Sequence, residues 1–101
     1  MSRSTAQLLE QSHRIGVQFL LTDLAAAATF LDVADVTGQE DTRTRNREKA
    51  RYVYETVLRL MPKVVPSDEE RTALEQGLAE LKLRLIATGH WFDPDGRATD
   101  A

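Results

Sequence analysis

The chain has 101 residues, a net charge of −3 and no cysteine. That length fits one domain, and it excludes a disulfide framework, thiol catalysis and thiolate metal ligation. The mild acidity counts against nucleic acid, whose binding draws most of its strength from phosphate neutralisation by basic residues.

The polar start, MSRSTAQLLEQSHR, lacks the apolar core of a secretory signal. With no cysteine to oxidise, a cytoplasmic location is the natural expectation. Helix 1 is expected to begin near Ser4, because Ser4 and Gln7 have capping-box spacing. Its apolar positions include Leu8, Ile15, Phe19, Leu24, Phe30 and Val33. Gly38 is expected to end it in the left-handed conformation. Residues 15–34 are long enough to cross a bilayer. Asp23 interrupts them, however, and much of the rest is alanine. The expectation is therefore a helix buried in protein, with no membrane partner.

Projected at about 100° per residue, Ile15, Phe19, Ala26, Phe30 and Val33 form one face. Leu20, Leu24, Ala27 and Leu31 widen it. Val17, Leu21, Ala25 and Ala28 lie towards the other side and are expected to be surplus to the core. A helix apolar around most of its girth is normally covered around most of it. These four residues are therefore a candidate interface, and the expected partner is a second copy, with a dimer favoured, or another protein.

Helix 2 is expected to start between Thr37 and Asp41, with Thr37 and Glu40 as a capping pair. Its expected core stripe is Ala50, Val53, Tyr54, Val57, Leu58 and Met61, and Pro62 is expected to end it. Asp23 falls within the expected core face of helix 1. A buried carboxylate needs a partner. Arg47, Arg51 and Tyr54 are the candidates, which together with Asp23 would make a buried polar network that sets register. The basic run Arg43, Arg45, Arg47, Lys49 and Arg51 alternates between two sides of its helix. It supports an alternative reading, a small regulatory nucleic-acid-binding protein, but the split weakens it.

Helix 3 has the clearest start, Ser67 followed by Asp68, Glu69 and Glu70: a capping box with carboxylates at the positive end of the helix dipole. Its stripe is Leu74, Leu78, Leu81 and Leu85, and Gly89 is expected to end it. His90, Trp91 and Phe92 follow. Trp91 and Phe92 are expected either to cap the bundle or to join the candidate interface. The Asp-Pro-Asp-Gly turn then leads into a polar tail.

Helix 2 resembles the second helix of a tetratricopeptide repeat at Ala50, Tyr54, Val57 and Pro62. The resemblance implies a protein-interaction scaffold. The repeat's first-helix signature is missing at the expected distance, and no binding residues carry over.

The expected fold class is all-α: an antiparallel three-helix up-down-up bundle with a long first helix, since short connections make neighbours antiparallel. Residues 1–92 would form one domain and residues 93–101 a flexible polar tail. His13 and His90 stand without ligand-type neighbours at metal spacing, so no metal or cofactor is expected. No nucleophile–base pairing and no phosphate-binding glycine loop is present. The expected function is a non-enzymatic module for self-association or protein interaction.

Overall fold

The computed structural model describes residues 4–89, except for the side chains of residues 9–15. The described residues are helical and contain no strand. They form α1 (Thr5–Val36), α2 (Glu40–Leu60), a single 3-10 turn (Met61–Lys63) and α3 (Asp68–Ala87).

Local chemistry accounts for most of the boundaries. The Ser4 hydroxyl accepts from the Gln7 N–H, and Gln7 Oε1 accepts from the Ser4 N–H. Ser67 and Glu70 repeat this exchange at the start of α3. Each box satisfies two backbone donors that a helix start leaves open.

The elbow between α1 and α2 departs from expectation. The glycine at position 38 does not take the left-handed conformation, which among the described residues belongs to Gly89 alone, with φ of 76°. Instead α1 stops at Val36, and Thr37 turns into extended backbone. The Arg43 guanidinium reaches back to the end of α1. Its Nε donates to the Ala34 carbonyl (3.3 Å) and its Nη2 to the Thr37 carbonyl (2.9 Å). A cation on helix-end carbonyls satisfies acceptors and suits the negative end of the dipole, so the arginine does what the glycine was expected to do. The expected Thr37–Glu40 capping box is not formed either. Gln39 is the N-cap of α2 and makes no side-chain cap bond, while the Thr37 hydroxyl accepts from the Gln39 N–H. At the far end, α2 stops at Leu60, just before Pro62, as expected. The proline sits inside the 3-10 turn, where its missing N–H costs nothing.

The core is narrow. On α1 it comprises Val17, Leu20, Leu24, Ala27, Leu31 and Ala34, which recur in alternating steps of three and four residues. Leu74, Leu78, Leu81 and Leu85 follow the same rhythm on α3, and Ala50, Tyr54 and Val57 supply α2. A seven-residue apolar repeat keeps one seam of each helix turned inward along its length.

This overturns the expected division of α1. Val17, assigned to the surplus, has no solvent exposure at all, whereas Phe19, assigned to the core, is 60% exposed. Leu8 and Val33 are also exposed, and Phe30 is half-buried at the core's edge. Leu20, Leu24, Ala27 and Leu31, expected to widen the core face, are buried as expected, so the centre of the seam lies about a third of a turn from the line of Phe19, Ala26, Phe30 and Val33.

Long-range contacts fix how α3 lies on α1. Gln18 Nε2 donates to Glu70 Oε2 (3.5 Å) near the start of α3. Near its end, Arg84 Nη2 donates to Asp32 Oδ1 and Asp35 Oδ2, both at 3.0 Å. Arg84 Nη1 also donates to the Ala28 carbonyl. Gly16 lies beneath the α2–α3 connection, where an added Cβ would stand 2.9 Å from Val64 Cγ1. Residues 5–15 carry α1 on past that connection.

Candidate interaction surface

At 32 residues, α1 is much longer than α2, which has 21, or α3, which has 20. Its single core seam leaves a second apolar line unused. Phe19, Ala26, Phe30 and Val33 share a helical face centred about 120° from the seam. Phe19 is 60% and Val33 39% exposed, and Ala26 and Phe30 are half-buried. The line meets α2 at a shallow apolar groove formed by Phe30, Val53, Tyr52, Lys49, Arg45 and Glu48. The Lys49 ammonium lies 5.6 Å from the centre of the Phe30 ring, within cation–π range.

Asp23 sits at the edge of this line. It is half-buried, not sealed in the core, and the core holds no buried polar or charged residue among those described. Asp23 therefore does not join Arg47, Arg51 and Tyr54 in a buried network among the described residues. Arg51 pairs instead with Glu55 on its own helix, at 3.9 Å. Tyr54 is buried in the core, and burial raises its hydroxyl pKa above the ordinary 10.0 by disfavouring the phenolate. Arg47 is half-buried, and its Nε is enclosed without a hydrogen-bond partner. Among the described residues Asp23 has neither an ion pair nor a hydrogen bond, and Lys49 has no carboxylate partner.

The remaining interface candidates are dispersed. Val17 is core, as described above. Leu21, Ala25 and Ala28 line an open groove between α1 and α3, shared with Ala73, Gly77 and Leu81 and rimmed by Glu80 and Arg84. Trp91 and Phe92 lie outside the described residues, as does His90. The basic run is also divided. Arg43 is spent on the end of α1 and on Glu40 at 2.7 Å, and Arg51 is spent on Glu55, which leaves Arg45 and Lys49 exposed on the outer side of α2. No group of three or more metal-type ligands exists among the described residues.

Sequence reasoning missed Phe19 and Val33 as surface residues. The signal that could have found them was the strict three-four repeat from Val17 to Ala34, which leaves both phenylalanines out. The window Gly16–Val36 is long and apolar enough to cross a membrane by length and composition. In the structure its inner seam is covered by α2 and α3.

No family model matches the chain, and no curated protein or solved structure is significantly similar to it.

Proposed function

We propose that this chain is a non-enzymatic association module that works in an aqueous compartment, the cytoplasm, by burying the outer apolar line of α1 against another protein. Its scaffold is an up-down-up three-helix bundle: α2 returns along α1 from the Arg43 elbow, and α3 runs with α1 from Gln18–Glu70 to Asp32–Arg84. The observation that carries the reading is the exposure of Phe19 and Val33 on one face with Ala26 and Phe30, beside an apolar groove. Single exposed apolar residues are ordinary, but several on one helical face with an aromatic anchor have the composition of an interface centre.

The test places a photo-crosslinking phenylalanine analogue at position 19 in cells that express the chain. A control chain carries it at Glu75, which is exposed on α3. The expected result is a discrete adduct from position 19 that disappears when Val33→Glu is added, with helicity unchanged by circular dichroism. Equal labelling from both positions, or none from position 19, would overturn the reading.

A further inference from the structure

We infer that the partner of this face is a second copy of the chain, docked antiparallel across α1 with a two-fold axis near Ala26; this rests on the association reading above. Three features of the face lead there.

The first is its symmetry. Phe19 and Val33 lie at equal distances on either side of Ala26, seven residues away in each direction. When two such helices lie antiparallel with the alanines opposed, each Phe19 meets the other copy's Val33. Each Phe30 comes level with the other copy's Thr22, on the α2 side of the contact. A small residue at the centre lets the backbones approach, and a large one at each end fills the space that the approach leaves. An isologous contact needs this self-complementarity, in which one patch serves as both halves.

The second is charge. The Arg43–Ala34 contact sets the register of the hairpin, and Lys49 lies level with Phe30, over whose ring it rests. Inversion about Ala26 carries that level to the neighbourhood of Asp23 on the other copy. A two-fold axis of this kind keeps α2 of both copies on the same side of the paired α1 helices. Asp23 lies on that side of the line as well. Lys49 of each copy therefore faces Asp23 of the other, twice per dimer. Among the described residues neither Asp23 nor Lys49 has an opposite-charge partner within one chain. A parallel pairing separates them, because α2 of the two copies then falls on opposite sides.

The third is size. From Phe19 to Val33 the line is about 21 Å long at 1.5 Å per residue. A face that short, widened by the α2 edge, sits at the small end of specific interfaces, where contacts are weak and reversible.

The absence of cysteine gives a clean test. In the antiparallel dimer Thr22 of one copy lies beside Thr29 of the other, and both residues are exposed in the single chain. Thr22→Cys and Thr29→Cys are made separately, and the two proteins are oxidised alone and as a mixture. The expected product is the mixed disulfide, formed well ahead of either homodimer. Sedimentation should show twice the 11.3 kDa chain mass at high micromolar concentration. Asp23→Lys and Lys49→Asp should each weaken the dimer about five- to tenfold, because each breaks two pairs, and the double variant should recover most of the loss. A dimer in which Thr22→Cys and Thr29→Cys each crosslink with themselves would be parallel and would overturn this inference while leaving the association reading intact. A chain that stays monomeric in solution would also overturn it, and a heavier adduct from position 19 would then place a different protein on the face. If no adduct forms either, both readings fall together.

Discussion

Gly77→Ala tests how tightly α3 is seated on α1. In the middle of an exposed helix this substitution gains about 1 kcal/mol, because glycine gives up more backbone freedom than alanine on folding. Here the added methyl would stand 3.0 Å from Leu24 Cδ1 and 3.7 Å from Leu24 Cβ and Cγ. Leu24 is only 7% exposed, so it cannot swing into open solvent without emptying its place in the core. Overpacking of this kind costs about 1–3 kcal/mol, and the propensity gain offsets only part of that. The expected net loss is about 1 kcal/mol, or roughly 4–8 °C in Tm for a domain of this size. The sign should reverse in a Leu24→Ala background, where Cδ1 is gone and Gly77→Ala recovers about 1 kcal/mol of a deficit of about 2–4 kcal/mol. Urea unfolding of the four proteins closes the cycle, with a coupling of about 2 kcal/mol expected between the two sites. A Gly77→Ala protein more stable than its parent, with no coupling to Leu24, would refute the close contact of α3 with α1 at this level.

Three further outcomes are expected. Burial holds the Tyr54 hydroxyl pKa above 10.0 in the folded chain. Above pH 10 the unfolded chain therefore loses this proton first, and stability falls as pH rises through the raised value. Thermal melts between pH 8 and 11 should show a steeper alkaline decline for the parent than for Tyr54→Phe, and parallel declines would contradict the assignment. Arg43→Ala should cost about 1 kcal/mol, since it strips the donor from two carbonyls at the α1 terminus and from the Glu40 carboxylate at the start of α2. Arg84→Ala, whose carboxylate partners are mostly exposed, should cost about 0.5–1 kcal/mol and lose that effect in high salt. Urea midpoints at low and high salt distinguish the two, and an Arg84→Ala deficit that persists in high salt would contradict the exposed character of the pairing.

The starts of α1 and α3 were legible because their signals are local: a hydroxyl and a Gln or Glu three residues later decide the geometry without reference to the rest of the chain. The α3 seam was legible for a related reason. Its four leucines are the only large apolar residues at helical spacing on that side, and all four are buried. The α1 face was half legible: Leu20, Leu24, Ala27 and Leu31 were placed correctly, but two apolar lines compete on the helix, and ring size drew the centre of the face to the wrong one. Phenylalanine at 19 and 30 drew the expected core towards itself, whereas the true seam is marked by the regularity of its spacing, with alanine at two of its six positions. The elbow was misread because the usual stop signal, Gly38, was available. The side chain that closes α1 comes from the first turns of the next helix and becomes visible only once the chain has folded back. The buried polar network failed with the face: once the helix is rotated, Asp23 moves out of the core and needs no internal partner.

Two greasy lines on one rod create a hazard that the chain has to manage. Turned by about 120° about its own axis, α1 would offer Phe19, Ala26, Phe30 and Val33 to its neighbours, in a wrongly keyed fold with comparable oil-like contact. Asp23 penalises that alternative, because its carboxylate would be driven out of water. Asp32 and Asp35 penalise it again, because they would be carried away from Arg84. On this view the acidic residues along α1 act as a key that admits only one rotation, and removing all three charges should yield a chain that collapses readily yet hesitates between two interiors.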